Sequence, residues 1–163
     1  MKSLLRRRLL GVVTGTALAA AALPALAQDR PGPDGVIRVR SAYGMQETVS
    51  RIRADIAAKG IMFFSAVDQQ KLAADAGIKL NASTLLTFGN PPLGAQFLTA
   101  NPVSGLDWPV RLLVLQDDAG TVWAAYTDFA WIARRHGIGN RQEQFAKATS
   151  VVESITSTVR LNP

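Results

Sequence analysis

Two runs of β-branched and apolar residues, Val110–Gln116 and Thr121–Tyr126, are separated by Asp117, Asp118, Ala119 and Gly120. Aspartate tolerates tight-turn geometry and accepts local amide hydrogen bonds, and glycine supplies a positive φ, so the spacing predicts an antiparallel hairpin with an acidic turn. This hairpin constrains the rest of the chain most strongly. On both sides of it strand and helix signals alternate. The sheet that receives it is therefore expected to be mixed, with about five strands and helices on one face or both. At 163 residues there is material for one such domain.

Upstream, Val36–Tyr43 reads as a first strand. Met45, Val49, Ile52 and Ile56 then mark one face of a helix that stops at Gly60. Ile61–Val67 is a short apolar run, expected to be a buried strand. Asp68 stands where an N-cap is wanted for a short helix through Ala76. Thr84–Phe88 is a third strand, ended by Gly89, Asn90, Pro91 and Pro92. Leu93–Ala100 reads as a helix and Asn101–Pro109 as a loop. Beyond the hairpin, Asp128 caps a helix through His136. A last helix over 141–159 carries Phe145, Ala148, Val152, Ile155 and Val159 as one seam.

Residues 1–27 have a different character. Lys2, Arg6, Arg7 and Arg8 precede an uncharged run, and small residues stand at Ala25 and Ala27. This is the three-part pattern of a secretory signal cut between Ala27 and Gln28. Arg6–Gly11 also resembles a twin-arginine signal, and both export routes stay open. The chain is then expected to be periplasmic or secreted, touching a membrane only during export. Residues 28–35, with two prolines and two glycines, form a flexible lead-in, and 36–163 the domain. The net charge of +6 falls to +2 when 1–27 are removed. The basic excess is mostly an address, and no nucleic-acid partner is expected. There is no cysteine and only one histidine, which excludes a thiolate nucleophile, a disulfide framework, Cys-ligated metals and a multi-histidine metal site.

Thr84–Pro91, Ala100–Pro102 with Gly105–Pro109, and Tyr126–Asp128 with Ala133–Gly137 resemble the domain-of-unknown-function 302 family over about 44–138. The Phe-Gly-Asn-Pro step at 88–91 is the most specific of these. The resemblance implies a small α/β (α+β) domain that tends to dimerise and implies no established reaction. A histidine often follows the aspartate at position 68 in that family. This chain has Gln69 there, so no role resting on that imidazole carries over.

Few residues carry a chemical signal. Gly89, Asn90 and Pro91 turn the chain at a strand end, where they either redirect it or offer polar groups to a small ligand. Asp107 and Trp108 read as a pocket lip, or as a loop carboxylate beside a packed indole. His136 ends a helix, where the dipole favours its charged form. Asp117–Asp118 lacks the further oxygens of a calcium loop. Arg134–Arg135 near Trp131 would suit phosphate but equally suits a solvated helix end. No nucleophile elbow, Walker motif or dinucleotide fingerprint is present.

The leading expectation is a non-catalytic domain that binds or senses an unidentified small molecule near Gly89–Pro92 and Asp107–Trp108, as a homodimer. Neither catalytic residue, metal nor cofactor is assigned. Two alternatives remain. One is a hydrolase-like or other enzyme on Asp107, Asp128 and His136. The other is a structural module whose last helix docks a partner.

Overall fold

The computed structural model describes residues 31–162. The leader, the Ala27–Gln28 step and the first residues of the lead-in lie outside them. Strand β1 (Val36–Arg40) opens the domain, and helix α1 (Met45–Ala58) follows it. Strand β2 (Met62–Asp68) leads directly into the short helix α2 (Gln69–Asp75), because Asp68 accepts the free amide of Lys71. Then come β3 (Ser83–Gly89) and α3 (Pro91–Ala100). The hairpin is β4 (Val110–Gln116) and β5 (Val122–Thr127), and α4 (Phe129–Arg135) and α5 (Gln142–Ser157) close the chain. The 101–109 stretch, read above as loop, contains a 3-10 helix over Pro102–Asp107, started by Asn101 Oδ1 accepting from Val103 N.

The five strands form one sheet in the order β1-β5-β4-β3-β2, and the α/β (α+β) class with a central hairpin stands. The mixed pairing does not: every neighbouring pair is antiparallel. The reason is where the helical connections return. Only α1 joins two strands that run the same way, and it carries the chain from one edge of the sheet to the other, so β1 and β2 never meet. The connections through α2, and through α3 with the 3-10 helix, bring the chain back beside the strand it left, in the opposite sense.

The core lies on one face of the sheet. Val39, Leu86, Leu112, Val114 and Ala124 are fully buried against Ile52 and Ile56 of α1 and Val152 and Ile155 of α5. Burial of each such side chain contributes about 1.5–3 kcal/mol. The whole seam of α5 is used inside the molecule: Phe145, Ala148, Val152, Ile155 and Val159 are all buried. The alternative of a last helix free to dock a partner therefore gives way to core packing. Alternate residues point to the other face. There Val67, Leu85, Leu113 and Ala125 stand opposite one another in a row across four strands, and all but Ala125 are only half-buried.

Candidate functional site

The turn after β3 sets the site. Asn90 Oδ1 accepts the Leu93 amide at 3.1 Å, and Pro91 and Pro92 occupy the first helical positions, where a missing N–H costs nothing. The cis peptide among the described residues joins Trp108 to Pro109, so the bonds preceding Pro91 and Pro92 are trans. Asn90 is thus a helix cap first.

Trp108 lies across two glycines. A Cβ on Gly94 would stand 1.9 Å from the indole Cε2, and one on Gly89 would stand 2.6 Å from Cζ2 and Cη2. A glycine inside a helix costs about 1 kcal/mol relative to alanine. At position 94 that cost admits an aromatic ring where any side chain would exclude it. Phe97 meets the indole edge-on at 6.3 Å and stacks on Phe145 at 4.3 Å, which ties the ring to α5.

Between α3, the end of β3 and α5 runs a groove of about 730 Å3. Gly89, Asn90, Leu93 and Trp108 line one side, and Lys147 and Val151 of α5 the other. Its surface is more apolar than polar. Of the residues singled out from sequence, Gly89, Asn90 and Trp108 share this groove. Pro91, Asp107 and His136 do not line it.

Asp107 turns the opposite way from Trp108. Its carboxylate is 3% exposed and accepts four hydrogen bonds. One comes from Arg111 Nη2 at 2.7 Å, and two come from Arg135 Nη1 at 3.2 and 3.1 Å. The fourth contact is His136 Nε2 at 2.6 Å, with the imidazole 4% exposed. Asn101 Nδ2 holds the His136 carbonyl at 2.9 Å. The cluster clasps the 3-10 helix, β4 and the end of α4 together. Asp128 is elsewhere: at the start of α4 it accepts the amides of Ala130 and Trp131. Asp107 and His136 thus meet, whereas Asp128 is occupied as a cap at the far end of α4. A saturated, buried carboxylate has no lone pair left for a substrate proton.

Sequence reasoning missed Arg111 entirely and read Arg135 only as part of a pair with Arg134. A position four residues after Asp107, across a loop-to-strand change, gives no periodic signal. The acidic turn is fully engaged. Asp117 accepts from the Trp123 indole and from the amides of Thr121 and Ala119, and Asp118 accepts from Asn81. The Trp123 indole foremost, then the Thr121 amide, hold the Asp117 carboxyl below its ordinary value. Asp34 is likewise lowered, chiefly by Arg38 and then by the Val36 amide. Gln69 accepts from Ser83 Oγ at 2.7 Å. Among the described residues no group of three His, Asp or Glu side chains could hold a metal ion.

The family model described as "Domain of unknown function DUF302" matches residues 37–155. A Brucella suis biovar 1 protein named Fluoride-specific ion channel FluC 1 is 35% identical over 114 residues, which cover 70% of this chain and 45% of that one. Fluoride-specific ion channel FluC 2 of Brucella melitensis biotype 1 is 35% identical over 114 residues, covering 70% and 42%. The chain spans less than half the length of these curated relatives. A crystal structure of an uncharacterized conserved DUF302 protein from Bacillus stearothermophilus superposes with a TM-score of 0.70 at 19% identity, over 77% of this chain and 98% of that one. At that identity the likeness is one of fold.

Proposed function

The chain belongs to the DUF302 family, and on that premise we propose that it is a non-catalytic domain that binds or senses a small molecule in the groove between α3 and α5. One observation carries this reading. Gly89 and Gly94 both give up a side chain so that the Trp108 indole can line the groove. The indole, packed on those glycines and on Phe97, is still only half-buried and presents the rest of its surface to the groove. An aromatic wall, an apolar floor and a few polar groups such as Asn90 and Lys147 are what small-molecule sites are made of. The curated relatives named as fluoride channels are matched over less than half of their length. Ion conduction belongs to those whole proteins, and no helix among the described residues is long and apolar enough to cross a membrane. The mature form in this reading is exported after a cut between Ala27 and Gln28, and it works as a homodimer joined through the open sheet face.

The test uses 8-anilinonaphthalene-1-sulfonate as a probe of the groove and Gly94→Ala as the variant. Alanine strengthens α3 by about 1 kcal/mol but drives the indole from its seat. Probe emission is expected to fall several-fold while the circular dichroism spectrum is kept. A folded variant that binds the probe as the parent does removes the groove from consideration.

A further inference from the structure

We propose a second site, independent of the groove: Arg111 and Arg135 form a receptor for a small oxyanion of the phosphate class on the solvent side of Asp107. Both guanidinium groups donate to the same atom, Asp107 Oδ1, at 2.7 and 3.2 Å. Their donor nitrogens therefore lie no farther apart than those two distances laid end to end. One carboxylate faces two permanent cations, and His136 adds a third charge whenever it is protonated. The cluster is thus at least one positive charge in excess. Like charges held this close repel, and an anion on the outer side relieves them.

The remaining donors are available. Arg111 is 49% and Arg135 44% exposed, against 3% for Asp107. Arg111 makes no other hydrogen bond among the described residues, and Arg135 only stacks near Trp131, at 5.5 Å. Each guanidinium carries five N–H donors in a fixed fork, so most of them are unused and face water. Asp107 fixes both forks in advance, which removes much of the side-chain ordering cost of binding. Beside Arg111 is a hollow of about 10 Å3, lined by Asp107, Arg111 and Thr127 with the apolar Val110, Phe129 and Ile132. The Thr127 hydroxyl has no partner among the described residues. The hollow admits about one water-sized atom. A small oxyanion would seat one oxygen there and leave the others to the two forks and to solvent.

The experiment is a titration of the unaltered protein with inorganic phosphate at constant ionic strength, read by the Nε–H signals of its arginines in a 1H–15N spectrum. Saturable shifts confined to Arg111 and Arg135 are expected. Arg135→Gln should lose at least tenfold in affinity, while Arg134→Gln, outside the cluster, should stay within twofold. Glycerol 3-phosphate run in parallel separates the sources. Tighter binding of the ester assigns a phosphomonoester ligand, and weaker binding assigns the free ion. Absence of saturable shifts, or equal losses in the two variants, overturns the proposal.

Discussion

At the scale of single residues, Asp107 has more depending on it than any other charged group described. It is buried, it is saturated, and its partners come from β4 and α4. Removing it strands a buried imidazole and leaves two arginines to repel each other. Breaking one side of a buried charged cluster costs about 3–5 kcal/mol, and the half-exposed arginines, which regain water, bring the figure to the low end. Asp107→Ala is therefore expected to lose about 3 kcal/mol in urea denaturation. A loss under about 1 kcal/mol would show that the clasp is ornamental. The sequence marked Asp107 and Trp108 as one candidate lip, because both carry chemistry and they are adjacent. Asp107 closes the 3-10 helix and Trp108 is the first extended residue after it, and this change of backbone sends Trp108 to the groove and Asp107 to the clasp. Gly94 was not singled out as a functional position at all. A glycine reveals its purpose only when the ring that needs its space is known.

At the scale of elements, the hairpin is the best-predicted piece, and Asp117 explains its stability. Three donors converge on this one half-buried carboxylate, and they hold its carboxyl below the ordinary value. A lowered carboxylate stabilises the folded state above its unfolded pKa, and that contribution is lost as pH falls through the lower, folded value. The turn is therefore expected to hold unchanged down to about pH 4, the ordinary aspartate value, and to loosen only below it. The Trp123 indole N–H reports this directly, since its proton shift should titrate with Asp117 and follow the same depressed midpoint. An indole shift that titrates at or above the ordinary value would contradict the assignment. Element order was legible throughout, because periodicity and caps are local: Asp68 and Asp128 cap the helices that they were expected to cap. Strand pairing was not legible. Whether a connection of given length returns beside its own strand or crosses the sheet depends on where the helices pack. The seam of α5 pointed to the core first and to an interface second, and the position of Val152 and Ile155 under the sheet bears out the core.

At the scale of the whole molecule, the helices cover one face of the sheet and leave the other open. Val67, Leu85 and Leu113 stand there half-buried in a continuous row, next to Ala125. Five strands about 4.8 Å apart, about six residues long at about 3.3 Å per residue, make a face of roughly 24 by 20 Å. Two copies packed sheet to sheet would bury about 1,000 Å2, at the lower limit of a stable contact. A twofold axis lying between the two faces along the row would set the row against its own image, the arrangement that a homodimer of one surface requires. Arg38 stands opposite Ala125 and ends the row on β1, and Arg111 lies on the same face beside Leu113. Asp34 pairs with Arg38, and Asp107, shared with Arg135, pairs with Arg111. Leu113 sits in the row, with no part in the buried core. Leu113→Lys is accordingly expected to give a folded monomer where the parent sediments as a dimer at about 100 μM. Its thermal midpoint should become independent of concentration, because mass action stabilises only the associating form. A parent that is monomeric at that concentration, or a lysine variant that still sediments as a dimer, would remove the open face as the contact. The groove would keep its own test, since its walls are built from the other face of the sheet and from α3 and α5.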